Sequence, residues 1–303
     1  MARIPIGAVA VTLFCANAFA QSVGAKLDHV EIAVHDLEAA KSLYSRLGFS
    51  ISENGRHPTG TANALVYFRD GYLELITPYD TSLSGGRGIA EDLKQGEGGK
   101  GAGLQIASAD QAARELRAAG MKINGPTPGT IMMAGQKDPP PTSWWIVSFA
   151  DQLASRPLWL IQYAFPAWLR DLSPPENPNS AFSLSTLLIA VNDLRSSIAG
   201  YGRIGKASDR DIRLPEFGAV GKEIVLERGR VVLLRATDPS GPTARRLKEQ
   251  GEGILAVRLA ATDLDQVREQ IGQRDVAKDK QSVLVSPENA AGVWLEFEAA
   301  RPR

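Results

Sequence analysis

Cysteine is almost absent. The 303 residues contain one, Cys15, and histidine is nearly as scarce, with three. Net charge is also lacking, because 34 basic residues balance 34 acidic ones. Such a balance gives no electrostatic footing for nucleic acid or for an anionic membrane surface. Beyond the N-terminal segment no run is long and apolar enough to cross a bilayer. No phosphate-binding loop, serine-nucleophile elbow or zinc-finger spacing stands out, so no nucleotide cofactor is expected. Two glycine-rich stretches, GGRG at 85–88 and GEGGKGAG at 96–103, follow no strand–loop–helix order and read as linkers.

The N-terminal segment has one positive charge, Arg3, then an uncharged stretch from Ile4 that ends in Ala18-Phe19-Ala20. This pattern reads as a secretory signal peptide, residues 1–20, cut before Gln21. Pro5, Gly7 and Asn17 argue against a membrane anchor. Cleavage would remove Cys15, leaving no internal disulfide and no thiolate nucleophile or ligand. A periplasmic or secreted protein is expected, with no membrane attachment after cleavage.

What the chain does have is a repeat. HVEIAVHDLEAAKSLYSRLGF begins at His29, GLQIASADQAARELRAAGM at Gly103, TLLIAVNDLRSSIAGYGRIG at Thr186 and AVRLAATDLDQVREQIGQ at Ala256. Each is an alternating apolar strand, a turn with an Asp, then an amphipathic helix. The Asp residues, 36, 110, 193 and 263, suit helix N-caps. Three strands should follow each helix, the first set near Ser50–Glu53, Asn63–Arg69 and Tyr72–Thr77. A second repeat joins the modules. IAEDLKQGEGGKGAGLQIASAD and TARRLKEQGEGILAVRLAATD lie about 154 residues apart. The simplest reading is a duplicated two-module unit. One domain spans 26–170, a Pro-rich linker 171–180 and a second domain 181–300.

In strand geometry His29, Glu31 and Ala33 share one face, and Val30, Ile32 and Val34 the other. Likewise Tyr72, Glu74 and Ile76 face together. The strand–helix LDHVEIAVHDLEAAKSLYSRLGF and the segment RHPTGTANALVYFRDGYLELIT resemble the vicinal-oxygen-chelate superfamily, in particular its glyoxalase-like proteins. The resemblance covers the whole mature chain as fold and is sharpest in the first module. It implies an α+β fold of four βαβββ modules, paired into two cupped mixed sheets. It further implies one divalent metal ion (Zn, Mn, Ni, Co or Fe) in a cup, held from the first and last strands of each module.

Carried over residue by residue, the metal positions are His29 and Glu74, and an imidazole beside a carboxylate suits such ions. The alternative is a hydrogen-bonded His–Glu pair on a polar sheet face. Module two departs from the pattern. Gly103 stands where His29 stands, with Gln105 as a substitute oxygen donor. In PLWLIQY the register puts Trp159 at the position of Glu74, or Gln162 after a shift of three. Module three offers Thr186 and Leu233, and module four Ala256 and Glu296. The second half contains no histidine, which argues against an iron extradiol dioxygenase of the four-module kind. It is expected to serve as scaffold, cup wall or dimer surface, with Glu296 solvated or ion-paired.

His57 opens HPTGTAN and is a candidate general base, third ligand or turn-stabilising group. His35, beside the Asp36 cap, is structural. Arg56, Thr61, Asn63 and Tyr72 complete the candidate substrate contacts, with Gln105, Trp159 and Gln162. Trp144, Trp145, Trp159, Tyr163, Phe165 and Trp168 form either an apolar ligand wall or core. Three functions follow. The first is a metal-assisted lyase or isomerase on a small oxygenated substrate in the N-terminal cup, His57 or Glu31 moving the proton. The second is a non-catalytic binder of an apolar or aromatic small molecule. The third is an exported interaction protein whose repeat serves homodimerisation.

Overall fold

The computed structural model describes residues 23–131, 142–150, 158–164, 176–274 and 281–300. The expected signal peptide, Phe165, Trp168 and part of the linker lie outside these residues.

The first module runs β1 (Lys26–Ala33), α1 (Leu37–Arg46), β2 (Gly55–His57), β3 (Thr61–Tyr67) and β4 (Tyr72–Pro78). Helix α2 (Ser84–Leu93) leads to the second: β5 (Gly98–Gln105), α3 (Ala109–Ala118), β6 (Ile123–Gly129), β7 (Trp144–Phe149) and β8 (Leu158–Tyr163). The third comprises β9 (Ala181–Ala190), α4 (Leu194–Tyr201), β10 (Lys206–Leu214), β11 (Ala219–Val225) and β12 (Arg230–Ala236). After α5 (Pro242–Gln250) come β13 (Gly253–Ala261), α6 (Leu264–Ile271), β14 (Ser282–Val285) and β15 (Trp294–Ala299). The strands form two curled mixed sheets, in the orders β2-β3-β4-β1-β5-β8-β7-β6 and β10-β11-β12-β9-β13-β15-β14.

Both sheets obey the same rule. Alternate residues point to a helix-bearing face and to a concave one. Val30, Ile32, Leu73 and Leu75 meet Leu37, Ala40 and Tyr44 of α1, while Leu187, Ile189, Val231 and Leu233 do the same in the second sheet. These side chains form one continuous cluster across the two sheets. Burial of each valine, leucine or isoleucine among them contributes about 1.5–3 kcal/mol relative to exposure. Phe49, just after α1, stacks on Phe297 of β15 at 5.8 Å, and Tyr44 of α1 donates to the Ala290 carbonyl, in the segment before β15, at 3.2 Å.

Helix entry follows short-range chemistry, with one change from expectation. Asp36, Asp193 and Asp263 cap α1, α4 and α6 by accepting backbone N–H bonds. In α3 the cap is Ser108, and Asp110 sits in the first turn, where its charge still suits the dipole. Ser50–Glu53 forms only an isolated bridge, Ile51 with Val66, and the strand before β3 is Gly55–His57. The glycine-rich stretches are not linkers. GGRG lies inside α2, and GGKGAG is most of β5.

The two connector helices occupy matching places. In α2, Ile89 and Leu93 pack on Ala33 and Ile76, at one end of the first concave face. In α5, Leu247 packs against the corresponding cluster of the second sheet.

Candidate metal centre

Strand register brings the donors together. β1 and β4 run parallel with His29 opposite Tyr72 and Glu31 opposite Glu74. All four side chains therefore emerge on the concave face. The ligand atoms of His29, Glu31 and Glu74 lie within 4.8 Å of one another. Glu31, expected as a proton mover, stands in this donor cluster. Its pKa is raised well above the ordinary carboxylate value, first by burial and then by Glu74 and Asp92. Both neighbouring charges that act on it are negative.

The flat floor beneath these groups comes from glycine. On the antiparallel neighbour β5, Gly103 faces His29 and Gly101 faces Glu31. A Cβ at Gly103 would clash with the His29 ring at Cε1, and one at Gly101 would strike Trp159 and Glu31. The sequence signal was there, in GGKGAG, but glycine-rich strands are easily read as loops.

Two of the three donors, His29 and Glu74, have orienting partners. His29 is buried and its Nδ1 lies 2.8 Å from Asp28 Oδ2. Tyr163 donates its hydroxyl to the same oxygen at 2.6 Å, and the Tyr72 and Tyr163 hydroxyls are 3.2 Å apart. Tyr72 stacks on His29 with centroids 4.6 Å apart and planes 7° from parallel. Burial pushes the Tyr72 phenol well above its usual pKa, so it stays protonated. On the other side Asn63 donates to Glu74 Oε1 at 2.7 Å. Sequence reading missed Asp28, because strict alternation places it on the far face from His29.

His57 sits at the rim. Its Nδ1 is 2.8 Å from the Thr61 hydroxyl, and its Nε2 is 4.0 Å from Glu74 Oε1. Burial lowers its pKa, against the pull of Glu74. A neutral imidazole near pH 7 is the result. Trp144 meets the His57 ring edge-on at 5.9 Å, and Trp159 tilts against His29 at 5.4 Å. His35 lies in the exposed turn before α1, where its backbone N–H donates to Glu97.

Three expected contacts fall elsewhere. Arg56 alternates with His57, so it points to the opposite face, where it lies over the Tyr79 ring at 5.1 Å. Gln162 also faces the helices, accepting the Ala109 N–H at 2.7 Å. Trp145, on the same face as Gln162, packs on the core. Gln105 shares the parity of Gly103 and lies opposite Lys26, at the end of β5. The position matching Glu74 in module two is Ile161, not Trp159, since Gly103 pairs with Trp159 as His29 pairs with Tyr72. In module three it is Val232, because Thr186 pairs with Arg230 and Leu188 with Val232, while Leu233 faces the helices.

With this geometry in hand, comparison with known proteins is informative. The model of the Glyoxalase-like domain matches residues 27–205. The chain belongs to the glyoxalase-like domain family. A hypothetical protein from Staphylococcus aureus superposes with a TM-score of 0.63 at 12% identity, covering 91% of this chain and 100% of that one. A mutant of 4-hydroxymandelate synthase from Streptomyces coelicolor gives 0.61 at 12%, covering 92% and 94%. These likenesses establish the fold, two cupped α+β sheets of the vicinal-oxygen-chelate type. Among curated proteins no match was found. Members of this fold are often metal-dependent. The present residues fit such an ion: one imidazole and two carboxylates suit Mn, Fe, Co, Ni or Zn. The His29–Asp28 pair is the arrangement that orients a ligating histidine.

Proposed function

We propose that the cup of the first sheet is a divalent-metal site that binds neighbouring oxygens of a small substrate and promotes lyase or isomerase chemistry. The observation that carries this reading is the convergence of His29, Glu31 and Glu74, two carboxylates facing each other beside an oriented imidazole. A bound ion would supply Lewis-acid polarisation of the substrate oxygens.

The protein's own groups do the rest. Asn63 holds Glu74 by one oxygen. Tyr72 and Trp159 wall the site and exclude water, which strengthens charge interactions within it. His57, fixed at Nδ1 by Thr61, presents Nε2 toward Glu74 and can take or return a substrate proton. Export to the periplasm or medium belongs to the same reading, supported by the apolar segment from Ile4 to Ala20.

Metal analysis tests it. The purified protein, equilibrated with Mn, Fe, Co, Ni or Zn and desalted, should retain about one equivalent. The His29→Ala, Glu74→Ala double variant should retain none. No uptake of any of these ions by the wild type would overturn the proposal, and full retention by the double variant would reassign the ligands. The second reading, a metal-independent binder of aromatic small molecules, draws on the Tyr72–Trp159–Trp144 wall. It requires that metal-stripped protein binds ligand as tightly as loaded protein.

A further inference from the structure

Asp28 is out of place for a strand residue. Side chains of neighbours on a strand point to opposite faces, yet Asp28 and His29 are hydrogen-bonded. The cause is a β-bulge. Between Leu27 and His29 the pairing with β5 slips, Leu27 facing Leu104 and His29 facing Gly103, so Asp28 is the extra residue. Bulges re-aim side chains in this way. Asp28 is fully buried and also accepts from Tyr163.

The second sheet grips this bulge. Arg228, just before β12, donates from one terminal nitrogen to the Leu27 carbonyl at 3.0 Å and to the Asp70 carbonyl at 2.5 Å. In return, Leu27 N–H donates to the Arg228 carbonyl at 2.8 Å, and Glu227 N–H to the Ala25 carbonyl at 2.9 Å. The Asp70 carboxylate accepts from Ser183 Oγ at 2.5 Å and Leu184 N at 3.0 Å. The two chain segments that flank Asp28, at Leu27 and at the β3–β4 turn, are thus both tied to the second sheet.

We infer that Asp28 is a positioning residue that commits His29 to the tautomer protonated at Nδ1, leaving Nε2 to ligate, and that Arg228 of the second sheet holds the bulge on which this depends. The inference deepens the metal reading and rests on it for its consequence, though not for its geometry. It gives the second half a task in a site to which, among the described residues, it contributes no donor.

The test uses the full-length protein. In metal-free protein at about pH 8.5, where an ordinary imidazole is neutral, the ¹⁵N shifts of His29 should report a single Nδ1–H tautomer. Asp28→Asn and Arg228→Met should each give a mixed or inverted pattern. Zn or Mn affinity, by calorimetry, should weaken roughly 10–100-fold in Asp28→Asn, and less in Arg228→Lys, which keeps one donor. Should Arg228→Met fail to fold, Arg228→Lys decides that half by the same spectrum. An unchanged tautomer in Asp28→Asn overturns the Asp28 role, and an unchanged tautomer in a folded Arg228 variant overturns the clamp. A wild type that shows the tautomer but binds no metal refutes the proposed function and leaves this assignment standing.

Discussion

The two concave faces have the same register and opposite chemistry. In the first sheet the four central positions are His29, Glu31, Tyr72 and Glu74; in the second they are Thr186, Leu188, Arg230 and Val232. Every donor has gone. Leu188, Ala190, Val232 and Leu234 are instead packed with Phe217, Leu255 and Leu284, and Phe217 stands edge-on to Trp294 at 5.9 Å. In the first sheet the comparable apolar patch is limited to Ala33, Ile76, Ile89 and Leu93 beneath α2. One fold thus offers a concave face that is either lined with polar donors or filled as a core. The residues at four register positions decide which.

The comparison breaks most violently if a carboxylate is moved to the filled cup. Leu188→Glu places at the Glu31 position an acid surrounded by apolar side chains. Burial of an unpaired charge, with the lost packing, should cost more than about 4 kcal/mol. Urea unfolding would show a midpoint far below wild type, or no folded protein. A loss below about 1 kcal/mol would mean that the second cup is not packed as described.

Next in size is Gly103→Ala. The new methyl would overlap the His29 ring, and the ring must turn off Tyr72 and Asp28. The fold should lose roughly 1–3 kcal/mol, and metal affinity should fall about tenfold or more. The contrast is Gly120, where an added Cβ meets nothing, so Gly120→Ala should leave metal binding intact. Its positive φ of 80° still costs stability there. Equal metal loss in both variants would show that His29 is not seated on Gly103.

How much of this could be read from the sequence depends on which physical rule governs each residue. Strand alternation is local, and it sufficed to put His29, Glu31 and Glu74 on one face and Val30 and Ile32 on the other. The repeat gave the modules their order. Where a rule of nearest neighbours is broken by pairing with a distant strand, the reading failed. Asp28 depends on a slip against β5, which leaves no trace in LDHV. Gln162 and Arg56 are one residue out of phase with the cup, and only the pairing partners Trp145 and Ala62 fix that phase. GGKGAG has only Lys100 and Ala102 to show an alternation, so its strand character is visible mainly in the ring and carboxylate that lie upon it.

A smaller effect sharpens the first cup. Glu31 and Glu74 face each other across β1 and β4, and Glu31 has its pKa raised by burial and by that neighbour. A raised folded pKa means that the stabilising contribution is full below the ordinary carboxylate value and is lost as pH rises through the raised one. Metal-stripped Glu31→Gln should therefore melt above wild type at neutral pH, by about 2–4 °C for roughly 1 kcal/mol. The gap should close on acidification and reverse once metal is added, since the variant has lost a ligand. A melting point for stripped Glu31→Gln at or below wild type would show that the two carboxylates do not repel.

The smallest change is expected when both members of the polar pair left in the second cup are exchanged together. Arg258 Nε lies 2.5 Å from Glu296 Oε2, and both side chains are largely buried. Burial raises the Glu296 pKa despite the guanidinium beside it, so desolvation outweighs attraction there. A buried pair of this kind can be exchanged for apolar residues at little or no cost, whereas removing one partner strands the other. Arg258→Met with Glu296→Leu should thus leave stability within about 1 kcal/mol of wild type or raise it. Glu296→Leu alone should lose about 3–5 kcal/mol. Neither should alter metal content, because the donors lie in the other sheet. If the double variant lost metal while staying folded, the second cup would have to hold an ion of its own, and the division of labour between the two faces would fail.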